Sequence, residues 1–303
     1  MIFNRFVHYQ NYLQKTETFS TFSLINQTLF TRLIFNNLHP ILARNNVNVT
    51  GSGSQVIVFA HGFGCAQNSW KFITDAFLKD YRVVLFDYVG SGNSDISQYD
   101  YHKYATLEGY ACDVVDIIEA LDLRDIIFVG HSVSSMIGMI AALQKPEIFK
   151  KLVFIGPSPR YLNDQEYIGG FEMKDIEGIF MQIAEDYVGW TKVISPAVMQ
   201  NMHRPELSEF LQECFEATDP SIALAFAMAT FKSDNRENLK KLKVPSLTLQ
   251  GVDDIMVPLS AGDYIQQHTP SNFLKVMQAT GHFPHISHPE ETIREIKNFI
   301  EEK

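Results

Sequence analysis

The sequence predicts an α/β fold: a doubly wound, mostly parallel sheet interrupted by an all-helical insertion. Three observations predict it. Short β-branched and aromatic runs alternate with apolar patterns at helical spacing from residue 41 onward, which is the rhythm of right-handed strand, helix, strand crossovers. One run, residues 125–129, meets Gly130-His131-Ser132-Val133-Ser134 and then a helical pattern, so a strand gives way to a helix through a sharp turn. From residue 160 to 231 strand signals vanish and amphipathic helical patterns follow one another.

Composition narrows the class. The 303 residues are 46% hydrophobic and 20% charged, ordinary for a globular chain long enough for one large domain plus an insertion. A net charge of −10 argues against a nucleic-acid-binding face, which needs cations to neutralise phosphates. No apolar window approaches the length of a membrane span, so no membrane partner is expected. Cys65, Cys112 and Cys214 are scattered and odd in number, which is neither a disulfide framework nor a zinc motif. A reducing, cytoplasmic compartment is the expectation.

Residues 1–38 differ from the remainder. They carry Arg5, Lys15 and Arg32 against one acid, Glu17, and show no firm periodicity. Scarcity of acids permits a transit peptide, while Asn26, Gln27 and Thr28 interrupt the one stretch apolar enough for a secretory signal. A poorly ordered extension is expected. The core is then expected over residues 39–159 and 232–303, with the helical lid over 160–231.

Within the core, residues 46–50 alternate as a strand, residues 51–54 form a turn, and residues 56–60 read as a buried strand ending in His61-Gly62-Phe63-Gly64. A glycine-rich loop after an inner strand lets the Phe63 N–H turn toward the space in front of Ser132; no P-loop Lys follows it. Residues 81–87 are the next strand. The glycines after it lack the spacing and the helix of a dinucleotide fingerprint. Residues 106–121 and 134–144 read as helices, 151–155, 245–250 and 272–277 as strands, and 289–301 as the closing amphipathic helix. In the insertion, residues 175–187 and 219–231 show helical patterns. Its Phe171, Phe180, Met181, Trp190, Phe226, Met228 and Phe231 imply an apolar pocket, with Phe171, Phe180, Trp190 and Phe231 as candidate lining residues.

The chemistry converges on Ser132. A serine at such a turn stands at the carboxyl edge of the sheet, and Gly130 is small because strand and helix backbones approach closely there. The alternative is a simple helix N-cap serine. A nucleophilic serine needs a base, and the base a buried carboxylate that fixes its tautomer. In the α/β-hydrolase order of serine, acid, histidine, each on a loop after a strand, Asp254 and His282 are the partners; Asp254 takes the fourth place of Gly-x-x-Asp after its strand, ahead of Asp253. The N–H groups of Phe63 and Val133 are the candidate oxyanion donors. His282, His285 and His288 also allow a metal cluster, disfavoured by Pro284 and by the lack of a carboxylate or Cys at ligand-like spacing. No metal or cofactor is expected.

HGFGCAQNSW, LFDYVGSGNSD, GHSVS, GPSPRYLND, GGFE, FKSDNRENL and GHFPHISHP together resemble the RsbQ family of bacterial stress-response regulators, and its relatives, the plant strigolactone and karrikin receptor hydrolases. The resemblance runs from about residue 41 to the C-terminus and includes loop and lid segments; Ser134 matches the plant relatives, and the N-terminal extension has no counterpart. It implies an α/β-hydrolase fold with a four-helix lid over an apolar cavity, the triad Ser132, Asp254 and His282, and oxyanion donors at Phe63 and Val133. It further implies slow hydrolysis of a small apolar ester or lactone, coupled to a PAS-domain-containing protein phosphatase that switches on a stress response. A purely metabolic carboxylesterase or a perhydrolase shares the same triad, whereas a dehalogenase needs an Asp where Ser132 stands.

Overall fold

The computed structural model describes residues 39–302. The extension expected over residues 1–38 lies outside the described residues. A short helix, α1 (Pro40–Arg44), leads into a seven-stranded sheet of β1 (Asn48–Thr50), β2 (Gln55–Ala60), β3 (Tyr81–Leu85), β4 (Ile126–His131), β5 (Phe149–Ile155), β6 (Ser246–Asp253) and β7 (Asn272–Thr280). Their spatial order is β1-β3-β2-β4-β5-β6-β7. Only the edge strand β1 is antiparallel to its neighbour.

The two faces are written in the strands. Val56, Val58 and Ala60 of β2 and Ile126 and Phe128 of β4 join one apolar cluster, while Ile57, Phe59, Ile127 and Val129 join another, the period-two alternation of a sheet covered on both sides. Helices α2 (Leu107–Ala120) and α3 (Val133–Gln144) cover the first face. The opposite face is closed by Trp70, Phe77 and the apolar stripe Ile296, Phe299 and Ile300 of the C-terminal helix (Pro289–Glu301). A buried carboxylate ties α1 to α2: Asp113 accepts from Arg44 at 2.9 Å, Lys103 at 2.5 Å and the Tyr104 hydroxyl at 2.7 Å.

Between β5 and β6 the chain leaves the sheet for α4 (Met173–Glu185), α5 (Tyr187–Met199), α6 (Pro205–Glu216) and α7 (Pro220–Phe231), then returns through α8 (Arg236–Leu239). These lid helices build their own apolar cluster, into which the core inserts Cys65, Val257 and Phe283. Outgoing and returning segments are fastened together. Arg160 meets Asp234 at 2.6 Å, and the Asn235 N–H donates to the Pro159 carbonyl at 2.7 Å. The remaining helices are α9 (Leu259–His268), α10 (Pro284–Ser287) and the C-terminal α11.

Some boundaries differ from the sequence pattern. The helix expected over residues 175–187 stops at Glu185, because the Asp186 carboxylate accepts the Gly189 N–H at 2.9 Å and caps α5. Strands β6 and β7 extend beyond residues 250 and 277 and pair across an irregularity as far as Asp253 and Thr280. Pro284, expected to disfavour a helix, starts α10, where a missing N–H costs nothing.

Candidate active site

Ser132 sits between β4 and α3 with φ 55 and ψ −124, a conformation that costs a non-glycine residue on the order of 1–3 kcal/mol. Its N–H donates to Ile155 O at 2.7 Å, which fixes the turn against β5. It occupies the N-cap position, but its side chain makes no capping bond. A Cβ at Gly130 would lie 2.5 Å from Ser134 O and 2.8 Å from Ser135 N, so the turn excludes any side chain there. Ser134 is wholly buried and donates to the His61 carbonyl while taking a hydrogen bond from the Tyr88 hydroxyl at 3.0 Å. The loop after β2 is thereby bolted to the serine turn.

His282 follows β7 and lies between two partners. Its Nε2 is 2.8 Å from Ser132 Oγ and its Nδ1 is 2.7 Å from Asp254 Oδ2. The other Asp254 oxygen accepts the Met256 and Val257 N–H groups at 2.8 and 3.1 Å. With the Asp254 side chain 2% exposed, these bonds orient a carboxylate that water hardly reaches. Asp253, by contrast, is exposed and contributes its carbonyl to the Gly281 N–H. Gly156, at φ 57 after β5, leaves room for the pair: a Cβ there would lie 3.2 Å from the His282 ring and 3.7 Å from Asp254 Oδ2.

The main chain of His282 is held from both sides. Its N–H donates to Val198 O of α5 at 2.7 Å, and its carbonyl accepts from His131 Nε2 at 2.8 Å. Burial keeps the His131, His285 and His61 rings below the ordinary imidazole pKa, and neighbouring histidines add to this at His131 and His285; for His285 the value falls to about 3. These rings are therefore neutral. His285 packs on Trp70 with the rings tilted and their centroids 4.5 Å apart, and His288 bonds Ser287 at 2.9 Å, so the three histidines of the HFPHISH stretch have separate partners. Among the described residues no group of three or more His, Cys, Asp or Glu is arranged to hold a metal.

The Phe63 and Val133 N–H groups donate to no other protein group among the described residues. Phe63 lines the cavity in front of Ser132, and Val133 follows Ser132 directly as the first residue of α3. That cavity, about 50 Å³, holds a group of roughly four heavy atoms at about one water-sized volume each. Trp190 and Phe231 line it; Phe171 and Phe180 do not, and pack instead against Phe231 with ring centroids 6.0 and 6.3 Å from it. Phe226 stacks on Tyr110 in the main core at 4.3 Å, and Met181 and Met228 are exposed.

Sequence reasoning missed several residues at the site. The Tyr161 hydroxyl lies 3.4 Å from Ser132 Oγ, and burial raises its pKa, so it stays neutral beside the serine. Its signal was its place just after the β5 loop motif GPSP. Thr230, Phe215, Ile179 and Ile194 reach the wall from the lid, and nothing in the helical periodicity separates them from ordinary packing.

A family model described as alpha/beta hydrolase fold matches residues 55–289. The karrikin insensitive 2 receptor CA of Petunia hybrida is 39% identical over 251 residues, 82% of this chain and 93% of that protein. The strigolactone esterase of Arabidopsis thaliana is 37% identical, over 83% of this chain and 94% of its own. Among solved structures, a hydrolase from Oleispira antarctica superposes with a TM-score of 0.85 at 38% identity, covering 87% of this chain and 97% of that one.

Proposed function

The chain belongs to the alpha/beta hydrolase family, related to plant strigolactone and karrikin receptor esterases, and from that premise we propose that Ser132, His282 and Asp254 hydrolyse a small apolar ester or lactone. His282 Nε2 takes the Ser132 proton as Oγ attacks the scissile carbonyl. Asp254 holds the Nδ1 proton and stabilises the imidazolium that forms. The carbonyl oxygen, now an oxyanion, accepts the Phe63 and Val133 N–H groups, worth on the order of 10²–10³ in rate per donor. His282 returns its proton to the leaving alcohol, then activates water to release the acid and regenerate Ser132. No cofactor enters.

The observation that carries the assignment is the unbroken line from Ser132 Oγ through His282 to Asp254, 2.8 and 2.7 Å, opening on an apolar cavity. The test is a time course of p-nitrophenyl acetate cleavage with Ser132→Ala as control. Loss of turnover in the variant is expected; a variant that keeps full activity overturns the assignment.

A second role, as an RsbQ-like positive regulator of a PAS-domain-containing phosphatase, is favoured by relatives named as receptors and by the bond from His282 N–H to Val198 O, which joins the lid to the triad. A Ser132-dependent burst followed by very slow turnover, with activation of such a phosphatase, is the expected outcome. Rapid steady turnover without any effect on phosphatase activity, with or without ligand, leaves a metabolic carboxylesterase or perhydrolase.

A further inference from the structure

Most polar groups in the cavity wall are already engaged. Ser132 and His282 belong to the triad, and the Tyr161 hydroxyl stands at Ser132. His131 uses Nε2 on the His282 carbonyl, and its unpartnered Nδ1 is covered by Gly62, where a Cβ would lie only 2.4 Å away. A further wall residue has a buried polar atom without a partner. Thr230, in the last turn of α7, is 2% exposed and lines the cavity, and its Oγ1 is buried away from the cavity surface with no hydrogen-bond partner. A helical threonine ordinarily satisfies its hydroxyl on the carbonyl three or four residues back, and it divides between two χ1 rotamers that exchange hydroxyl and methyl. Here that back-bond is absent, and no other group among the described residues takes the hydroxyl. Ser195 Oγ is also unpartnered but lies off the cavity.

We propose that Thr230 is a specificity-determining residue, whose hydroxyl, brought to the cavity surface by the χ1 turn that exchanges it with the methyl, bonds a second oxygen of the substrate, so that the preferred substrates are small esters or lactones carrying an ether, carbonyl or hydroxyl oxygen near the scissile carbonyl. Rejection of the purely hydrocarbon analogue follows from the cost of leaving a buried hydroxyl unpaired. The proposal rests on the esterase assignment above and narrows its substrate class.

The experiment compares near-isosteric p-nitrophenyl esters, methoxyacetate against butyrate and 3-methoxypropanoate against pentanoate, in wild type, Thr230→Val and Thr230→Ser. Taking the oxa-to-hydrocarbon ratio of kcat/KM within each enzyme cancels the intrinsic reactivity of the esters. For at least one pair, Thr230→Val is expected to lower that ratio about tenfold, mainly through KM, and Thr230→Ser to restore it. Unchanged ratios in both pairs overturn the proposal. A second arm needs no turnover: in Ser132→Ala protein, quenching of Trp190 fluorescence by methyl methoxyacetate and methyl butyrate should show a preference for the former that Thr230→Val removes, and equal loss for both esters overturns the proposal. Because the Ser132→Ala control alone decides the esterase assignment, the two failures are distinguishable. Thr230→Val should keep or raise Tm; a fall of several degrees would mean that the hydroxyl is bonded within the protein, and would also overturn the proposal.

Discussion

The main-chain N–H of His282 donates to the main-chain carbonyl of Val198, 2.7 Å away, so the proposed base of the sheet domain is held by the end of a lid helix. Around this bond the contact is close. A Cβ at Gly281 would lie 2.3 Å from Met199 O, Asn201 Nδ2 donates to both Met199 O and Thr280 O at 2.9 and 3.1 Å, and Arg204 donates to Ser287 O at 2.6 Å. The position of α5 and that of the imidazole are therefore coupled.

Replacing Asn201, whose φ of 49 and side-chain bonds form the bridge, should loosen the histidine loop without touching the cavity. Asn201→Ala is expected to lower kcat about tenfold with little change in KM, and to cost about 1–3 kcal/mol of stability from the carbonyls left unpaired. Steady-state kinetics and a urea melt check both.

Backbone strain at Ser132 should be recoverable as stability. Ser132→Gly removes the penalty of φ 55, so the inactive variant is expected to unfold about 1 kcal/mol harder than wild type despite the entropy glycine adds to the unfolded chain. Equilibrium denaturation measures it.

Asp254→Asn keeps the shape of the acid while removing the charge that holds the Nδ1 proton. The N–H groups of Met256 and Val257 still find an oxygen, so Tm should change little, while kcat falls about 10⁴-fold from the wrong histidine tautomer. An activity loss below tenfold would exclude Asp254 from its role.

Acid should destabilise the protein through its buried imidazoles. His285 has a folded pKa of about 3 against an ordinary 6.5, because burial and then His282 disfavour its charge. The unfolded chain binds the extra proton between those values, so this contribution is fully present above pH 6.5 and is lost as pH falls toward 3. From pH 7.5 to 5.5 the loss at this one site is about 1.4 kcal/mol. His285→Phe, which preserves packing on Trp70, should flatten the pH dependence of stability by that amount.

The sequence alone determined the α/β class, the alternation of buried strands and covering helices, and the segments that carry Ser132, Asp254 and His282. These are local properties: a period of two or of 3.6, a glycine at a tight turn, an acid or histidine just after a strand. Tertiary structure decided what depends on contacts between segments far apart in the chain. Which lid aromatics face the cavity follows from the way the lid segments pack on one another, so Trp190 of α5 and Phe231 of α7 line it while Phe171 and Phe180 pack against Phe231 instead. No periodicity distinguishes a wall residue from a core residue on the same helix face. The neutral state of His285, the unpaired hydroxyl of Thr230 and the bond from Val198 to His282 arise in the same way, from burial and from main-chain groups that carry no sequence signal.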